Sequence, residues 1–120
     1  MAVHRYGRVA QRPTDVSKAY ELALKARQLY PDDAEITKAL GILSYRRDLY
    51  PRSADLLKEA AAKRRDDPEL LYYLGQAYRQ LKQWSDCKGT LERALALNLS
   101  AILADEAKRA LADCSENITQ

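Results

Sequence analysis

Apolar residues recur along this chain at helical spacing and nowhere in an alternating run of useful length, so the pattern predicts helices and no strands. Helix starts are signalled by Asp32 and Asp33 with Glu35 behind them, and again by Asp66 and Asp67 with Glu69. First helices are predicted over about residues 34–47 and 68–81, turns at 47–51 and 82–83, and second helices from there to about residues 65 and 97. An earlier second helix is predicted over about 14–29, opened by Pro13, Thr14 and Asp15 and stopped by Tyr30 and Pro31. Pro51 falls in the first turn of its helix, where a missing N–H costs little. A last helix, about residues 101–114, places Leu103, Ala107, Ala110, Leu111 and Cys114 on one face, and residues 115–120 read as a disordered tail.

The predicted elements repeat. Gly7, Gly41 and Gly75 stand 34 residues apart, and Ala26, Ala60 and Ala94 keep the same step. So do Asp32 and Asp66, Asp33 and Asp67, Glu35 and Glu69, Leu40 and Leu74, and Leu57 and Leu91. One glycine spacing could be coincidence; this many residues in register make the chain a tandem array of helix pairs. The register fails in the last helix, where Arg109 stands one period beyond Gly75. An arginine cannot enter a close-contact slot, so that helix reads as a terminal cap covering the last pair.

A 34-residue helix–turn–helix with Leu-Gly and an aromatic residue three positions on resembles the tetratricopeptide repeat. The third unit carries the likeness best, with Leu71, Leu74, Gly75, Tyr78, Trp84, Cys87, Leu91 and Ala94. The Leu-Gly-x-x-Tyr run at 74–78 separates it from the pentatricopeptide arrays, which read RNA. The resemblance implies an all-α fold: one α-solenoid domain over residues 1–114, with repeats at about 1–33, 34–67 and 68–101, a capping helix at 101–114 and a right-handed superhelix. Close packing in such a unit predicts Gly75 against Cys87, Gly41 against Ser53 and Gly7 against Ala19. The short first unit is expected to be the least protected end.

Composition narrows the function. With 47% apolar and 31% charged residues the chain reads as one soluble globular domain, and no apolar run approaches the ~18 residues of a membrane span. The cytoplasm is the favoured compartment. Twenty basic and seventeen acidic residues, a net of +3, are too balanced to call for nucleic acid. His4 is the only histidine and no glycine loop could cradle a phosphate, so neither an enzyme nor a cofactor or metal is expected. Lys63, Arg64 and Arg65 read as solvated cations at a helix end, Trp84 as core filler, and the glycosylation-type triplets at Asn98 and Asn117 as silent. Cys87 and Cys114, 13 and 14 residues from a turn near residue 100, should lie at similar height on antiparallel helices. They read as two small buried thiols, near enough to bridge only in an oxidising compartment.

The resemblance also implies that first helices line a concave, partner-binding face. The slots at fixed offsets from each glycine are Met1, His4, Arg5, Arg8, Gln11 and Arg12; then Glu35, Lys38, Ala39, Ile42, Tyr45 and Arg46; then Glu69, Tyr72, Tyr73, Gln76, Arg79 and Gln80. They hold six cations and two anions, a net of +4, against −1 for the rest of the chain. The expected function is an interaction adaptor binding an acidic peptide or helix through Arg8, Lys38, Ile42, Tyr45, Arg46, Tyr72, Tyr73, Gln76 and Arg79. In that reading Tyr72 is a central anchor whose truncation leaves the fold intact. The alternatives are a scaffold segment that stacks on further repeats or on a second copy, and an RNA-binding helical repeat. The family's clamp for chaperone carboxyl termini would need Lys, Asn, Asn, Lys and Arg where this chain has His4, Arg8, Ala39, Glu69 and Tyr73, so that activity is not implied.

Overall fold

The structure, a computed structural model, describes residues 13–119. They form six helices: α1 (Pro13–Leu29), α2 (Ala34–Arg46), α3 (Tyr50–Lys63), α4 (Pro68–Gln80), α5 (Trp84–Ala96) and α6 (Ala101–Ile118). The expected first helix around Gly7 lies outside the described residues. Each helix packs on its sequence neighbours, and first helices also touch across the stack, α2 on α4 and α4 on α6. Among the described residues there is no strand, and no helix is long and apolar enough to cross a membrane.

The local causes of the helices repeat with the sequence. Asp33 accepts the Ile36 N–H at 3.0 Å and Asp67 accepts the Leu70 N–H at 3.1 Å, so each first helix starts on an aspartate cap. Each ends in the same left-handed turn, with Asp48 at φ 63° and Lys82 at φ 61°. There the Leu49 N–H bonds the Ser44 carbonyl and the Gln83 N–H bonds the Tyr78 carbonyl, both at 2.9 Å, which occupies carbonyls the helix end would leave bare. The cations at 63–65 are not simply solvated. Lys63 Nζ donates to the Asp32 carbonyl at 2.6 Å and Arg64 pairs with Glu35 and Asp67, so the end of α3 is tied to the starts of both flanking first helices.

The main core joins α3, α4, α5 and α6 around Leu57, Leu70, Leu74, Leu91, Ala107 and Ala110, while a smaller cluster of Tyr20, Leu40 and Leu56 holds α1 to α2 and α3. α1 leaves Leu22 67% and Leu29 73% exposed. The close contact at each glycine differs from the expected one. A Cβ on Gly75 would come within 2.6 Å of Leu91 Cγ, and one on Gly41 within 2.7 Å of Leu57 Cγ. Leucines fill these notches. Ser53 touches Gly41 only by donating its hydroxyl to the Gly41 carbonyl at 2.8 Å, and Cys87 is engaged elsewhere.

Gly75→Ala is therefore expected to lower the melting temperature. Overpacking against the fully buried Leu91 costs about 1–3 kcal/mol, more than the ~1 kcal/mol that alanine's better helix propensity returns. Gly89, in the middle of α5 with nothing within 4 Å of a built Cβ, provides the opposite sign. There Gly→Ala should stabilise by about 0.5–1 kcal/mol, and thermal unfolding of both variants checks the contrast.

Two expectations at the carboxyl end are corrected. α6 does not stop at Cys114 but runs to Ile118, where a tail was expected. Asn117 extends it by donating Nδ2 to the Asp113 carbonyl at 2.8 Å and to Asp113 Oδ1 at 3.2 Å. Cys87 and Cys114 are not two thiols but a disulfide, with Cα atoms 6.3 Å apart. Antiparallel packing of α5 and α6 brings them to the same height, and Leu91, by filling the Gly75 notch, leaves Cys87 to face α6.

Candidate partner-binding groove

The described slots of the expected groove lie on α2 and α4, and α6 packs beside α4 where the first helix of a following unit would stand. Arg109, in the slot of a notch glycine, is exposed and paired with Glu106 of its own helix. α6 also decides which groove slots remain open. Its Asp113 Oδ2 accepts Arg79 Nε at 2.8 Å. Tyr72, expected to face a ligand, is only 7% exposed and belongs to the main core. Gln76 is buried beside it, with its Oε1 lacking a hydrogen-bond partner. The expectation that Tyr72 can be truncated without harm to the fold is thus corrected: it is buried in one cluster with Leu71 and Leu74 of its own helix and Ala107 and Ala110 of α6.

Lys38 is also withdrawn from solvent. Its Nζ lies 2.9 Å from Asp67 Oδ2 and 2.9 Å from Glu69 Oε1, bridging α2 to the start of α4. Burial works against the charged ammonium, yet the bonds from Glu69 and Asp67 outweigh it and raise the lysine above its ordinary value. A cation satisfied by two carboxylates attracts little further negative charge.

Tyr45, Arg46 and Tyr73 come together. The Tyr45 and Tyr73 rings stand edge to face with centroids 5.8 Å apart, and Tyr50 packs on Tyr45 at 5.4 Å. Tyr72 meets Tyr73 at 5.0 Å, so the aromatic row continues under α6. Arg46 is exposed, reaches the Tyr73 hydroxyl with Nη2 at 3.5 Å, and makes no ion pair with a described residue. Around them opens a pocket of about 680 Å³ lined by Val16, Ser17, Tyr45, Arg46, Arg47, Asp48 and Tyr73. Arg47 lies 4.7 Å over the Tyr20 ring. Ile42 is half-buried on the same helix as Tyr45, while Arg8 lies outside the described residues.

Burial pushes the Tyr45 phenol up against the pull of its hydrogen bond with Gln80. Tyr50 is pushed up to about 12 by burial and by Asp48, whose Oδ1 accepts its hydroxyl at 2.8 Å. Both rings stay neutral hydrogen-bond donors at ordinary pH. Sequence reasoning missed Arg47, Asp48, Val16 and Ser17, which line the mouth from a helix end and a neighbouring helix. It also missed Asp113, although that residue stands one 34-residue period after Arg79 and was open to the same register argument.

Helix pairs that pack in sequence, with first helices touching across the stack, define an α-solenoid. A family model for the tetratricopeptide repeat matches residues 68–100, which are α4, α5 and the turn after them. The matched stretch is similar to a tetratricopeptide repeat and supports that family for the array, and such repeats serve protein–protein interaction and scaffolding. No curated protein matches it.

Proposed function

We propose that this protein is a non-enzymatic interaction module that binds an acidic segment of a partner protein at Tyr45, Arg46, Arg47 and Tyr73. The observation that carries the reading is the 680 Å³ opening lined by Tyr45, Tyr73 and an exposed Arg46 that reaches the Tyr73 hydroxyl and makes no ion pair with a described residue. Arginine and tyrosine are the side chains that most often dominate protein interfaces, and a guanidinium takes a carboxylate through two parallel hydrogen bonds. The reading is narrower than the charge count alone would give. Of the described slot cations, Lys38 and Arg79 already hold carboxylates, so the charge available to a ligand is concentrated at Arg46 and its neighbour Arg47.

A fluorescein-labelled peptide rich in Asp and Glu, titrated by anisotropy beside neutral and Lys-rich controls, tests the proposal. The acidic peptide should bind best, and reversing Arg46 and Arg47 to Glu should weaken it at least tenfold at low salt. The difference should fade as screening shortens the reach of surface charge. Arg79 is left unchanged because its reversal would also break the contact with Asp113. If the reversal leaves binding intact while Lys58→Glu on the exposed face of α3 abolishes it, the working surface is the convex back of the array.

A further inference from the structure

α6 is held by an unusual combination of contacts. Its most buried residues are Ala107, Ala110 and Cys114, with Leu103 and Leu111 only partly covered. Two of these side chains are methyl groups, so the helix buries little apolar surface for its length. Its ion pair to the groove, Arg79 with Asp113, leaves both side chains more than a third exposed and in reach of solvent screening. The remaining tie is covalent. Cys114 follows Asp113 directly and is bonded to Cys87 of α5, both residues fully buried. On α4, which α6 packs against, two groove slots of the third unit are buried: Tyr72, in one core cluster with Ala107, Ala110 and Cys114, and Gln76, whose Oε1 has no hydrogen-bond partner among the described residues.

We propose that the Cys87–Cys114 disulfide is a redox latch on α6: while it is closed the third-unit half of the groove is covered, and when it is reduced α6 lifts and exposes Tyr72 and Gln76 and frees Arg79. The bond forms under oxidising conditions and a dithiol reverses it. One thiolate of the dithiol attacks a sulfur of the pair, so that the Cys87–Cys114 bond breaks and a mixed disulfide forms. The second thiolate of the reagent displaces the protein sulfur and closes the reagent's own disulfide. The dithiol is oxidised by two electrons, and Cys87 and Cys114 each end as a protonated thiol. Because both sulfurs are buried, attack must wait for α6 to open, and the rate of reduction reports that opening.

The groove exposed by reduction is continuous with the aromatic row at Tyr73, and its added cation, Arg79, suits the same acidic ligand. That last consequence rests on the function proposed above; the latch does not.

The test is hydrogen exchange by mass spectrometry on the full chain, before and after reduction with dithiothreitol, together with Cys87→Ser/Cys114→Ser. Reduction should speed exchange across 101–118 at least tenfold while α2 and α3 keep their protection, and the double serine variant should reproduce that pattern without reductant. Asp113→Asn, which weakens the only ion pair of α6 to the groove among the described residues, should accelerate reduction of the intact disulfide several-fold. Two titratable thiols in denatured, unreduced protein, unchanged exchange in α6 after reduction, or loss of protection in all helices together would each overturn the latch. No partner enters these measurements, so their failure leaves the reading at Arg46 standing, and failure of acidic-peptide binding leaves the latch standing.

Discussion

Replacing Asp67 by Ala is expected to lower the stability of the array by about 3 kcal/mol, because one carboxylate does three jobs. Its Oδ1 caps α4 through the Leu70 N–H, and its Oδ2 accepts Lys38 Nζ at 2.9 Å and Arg64 Nε at 3.1 Å. Loss of an aspartate cap alone costs about 0.5–2 kcal/mol. Stripping one partner from a buried ion pair costs about 3–5 kcal/mol, and the Lys38 and Asp67 side chains are only 11% and 10% exposed. Glu69, which also holds Lys38, softens that second cost and keeps the total near the lower figure. Asp67→Asn retains the capping oxygen and loses only the charge, so it should fall between wild type and Asp67→Ala.

The pH dependence has a definite sign. Burial drives the Asp67 carboxyl up, but the bonds from the Leu70 N–H, Lys38 and Arg64 outweigh it and hold the group below the ordinary carboxylate range. A carboxylate depressed in the folded state stabilises at pH values above its unfolded pKa of about 3.9, and that contribution disappears as pH falls through the lower folded value. Urea unfolding should therefore separate wild type from Asp67→Asn at neutral pH, and the gap should close in strong acid. Equal midpoints at neutral pH would mean that Lys38 is satisfied by Glu69 alone.

The parts of this protein that were legible in its sequence are those set by local chemistry and repeated by the period. Asp33 and Asp67 cap helices because a short carboxylate before an amphipathic run has a free N–H within reach, and the 34-residue step doubles the signal. The notches at Gly41 and Gly75 follow for the same reason, although the side chain filling each was misassigned: Leu57 and Leu91, one turn further along than Ser53 and Cys87, point into them. What could not be read was set by a neighbour outside the repeat. A face assigned by offset from a glycine tells which side of α4 carries Tyr72, Gln76 and Arg79. Whether that side is open to solvent depends on α6, whose sequence breaks the register at Arg109 while its backbone keeps the place of a next first helix. Charge counting failed at Lys38 for a related reason, since a slot can be basic in composition and neutral in effect once Asp67 and Glu69 reach it.

Two adjacent tyrosines now separate stability from recognition. Tyr72 is 7% exposed in the main core, where burial raises its phenol despite the opposing hydrogen bond with Gln76, whereas Tyr73 is half-buried at the pocket mouth beside Arg46. Truncating a buried aromatic ring costs about 3–5 kcal/mol, so Tyr72→Ala is expected to lose at least 3 kcal/mol in urea unfolding. Tyr72→Phe, which keeps the ring and removes only the hydroxyl, should stay within about 1.5 kcal/mol of wild type. Tyr73→Ala leaves a cavity that solvent can enter and should cost little stability, while weakening the acidic peptide by a factor that survives high salt, because ring burial is not screened. The pairing matters more than either value. If Tyr72→Ala unfolds at the wild-type midpoint, α6 is not seated on α4 and the Tyr72 slot is open to ligands as its helical offset alone implies. If Tyr73→Ala is the variant that collapses, the aromatic row at Tyr45, Tyr50 and Tyr73 is core, and recognition must rest on the arginines alone.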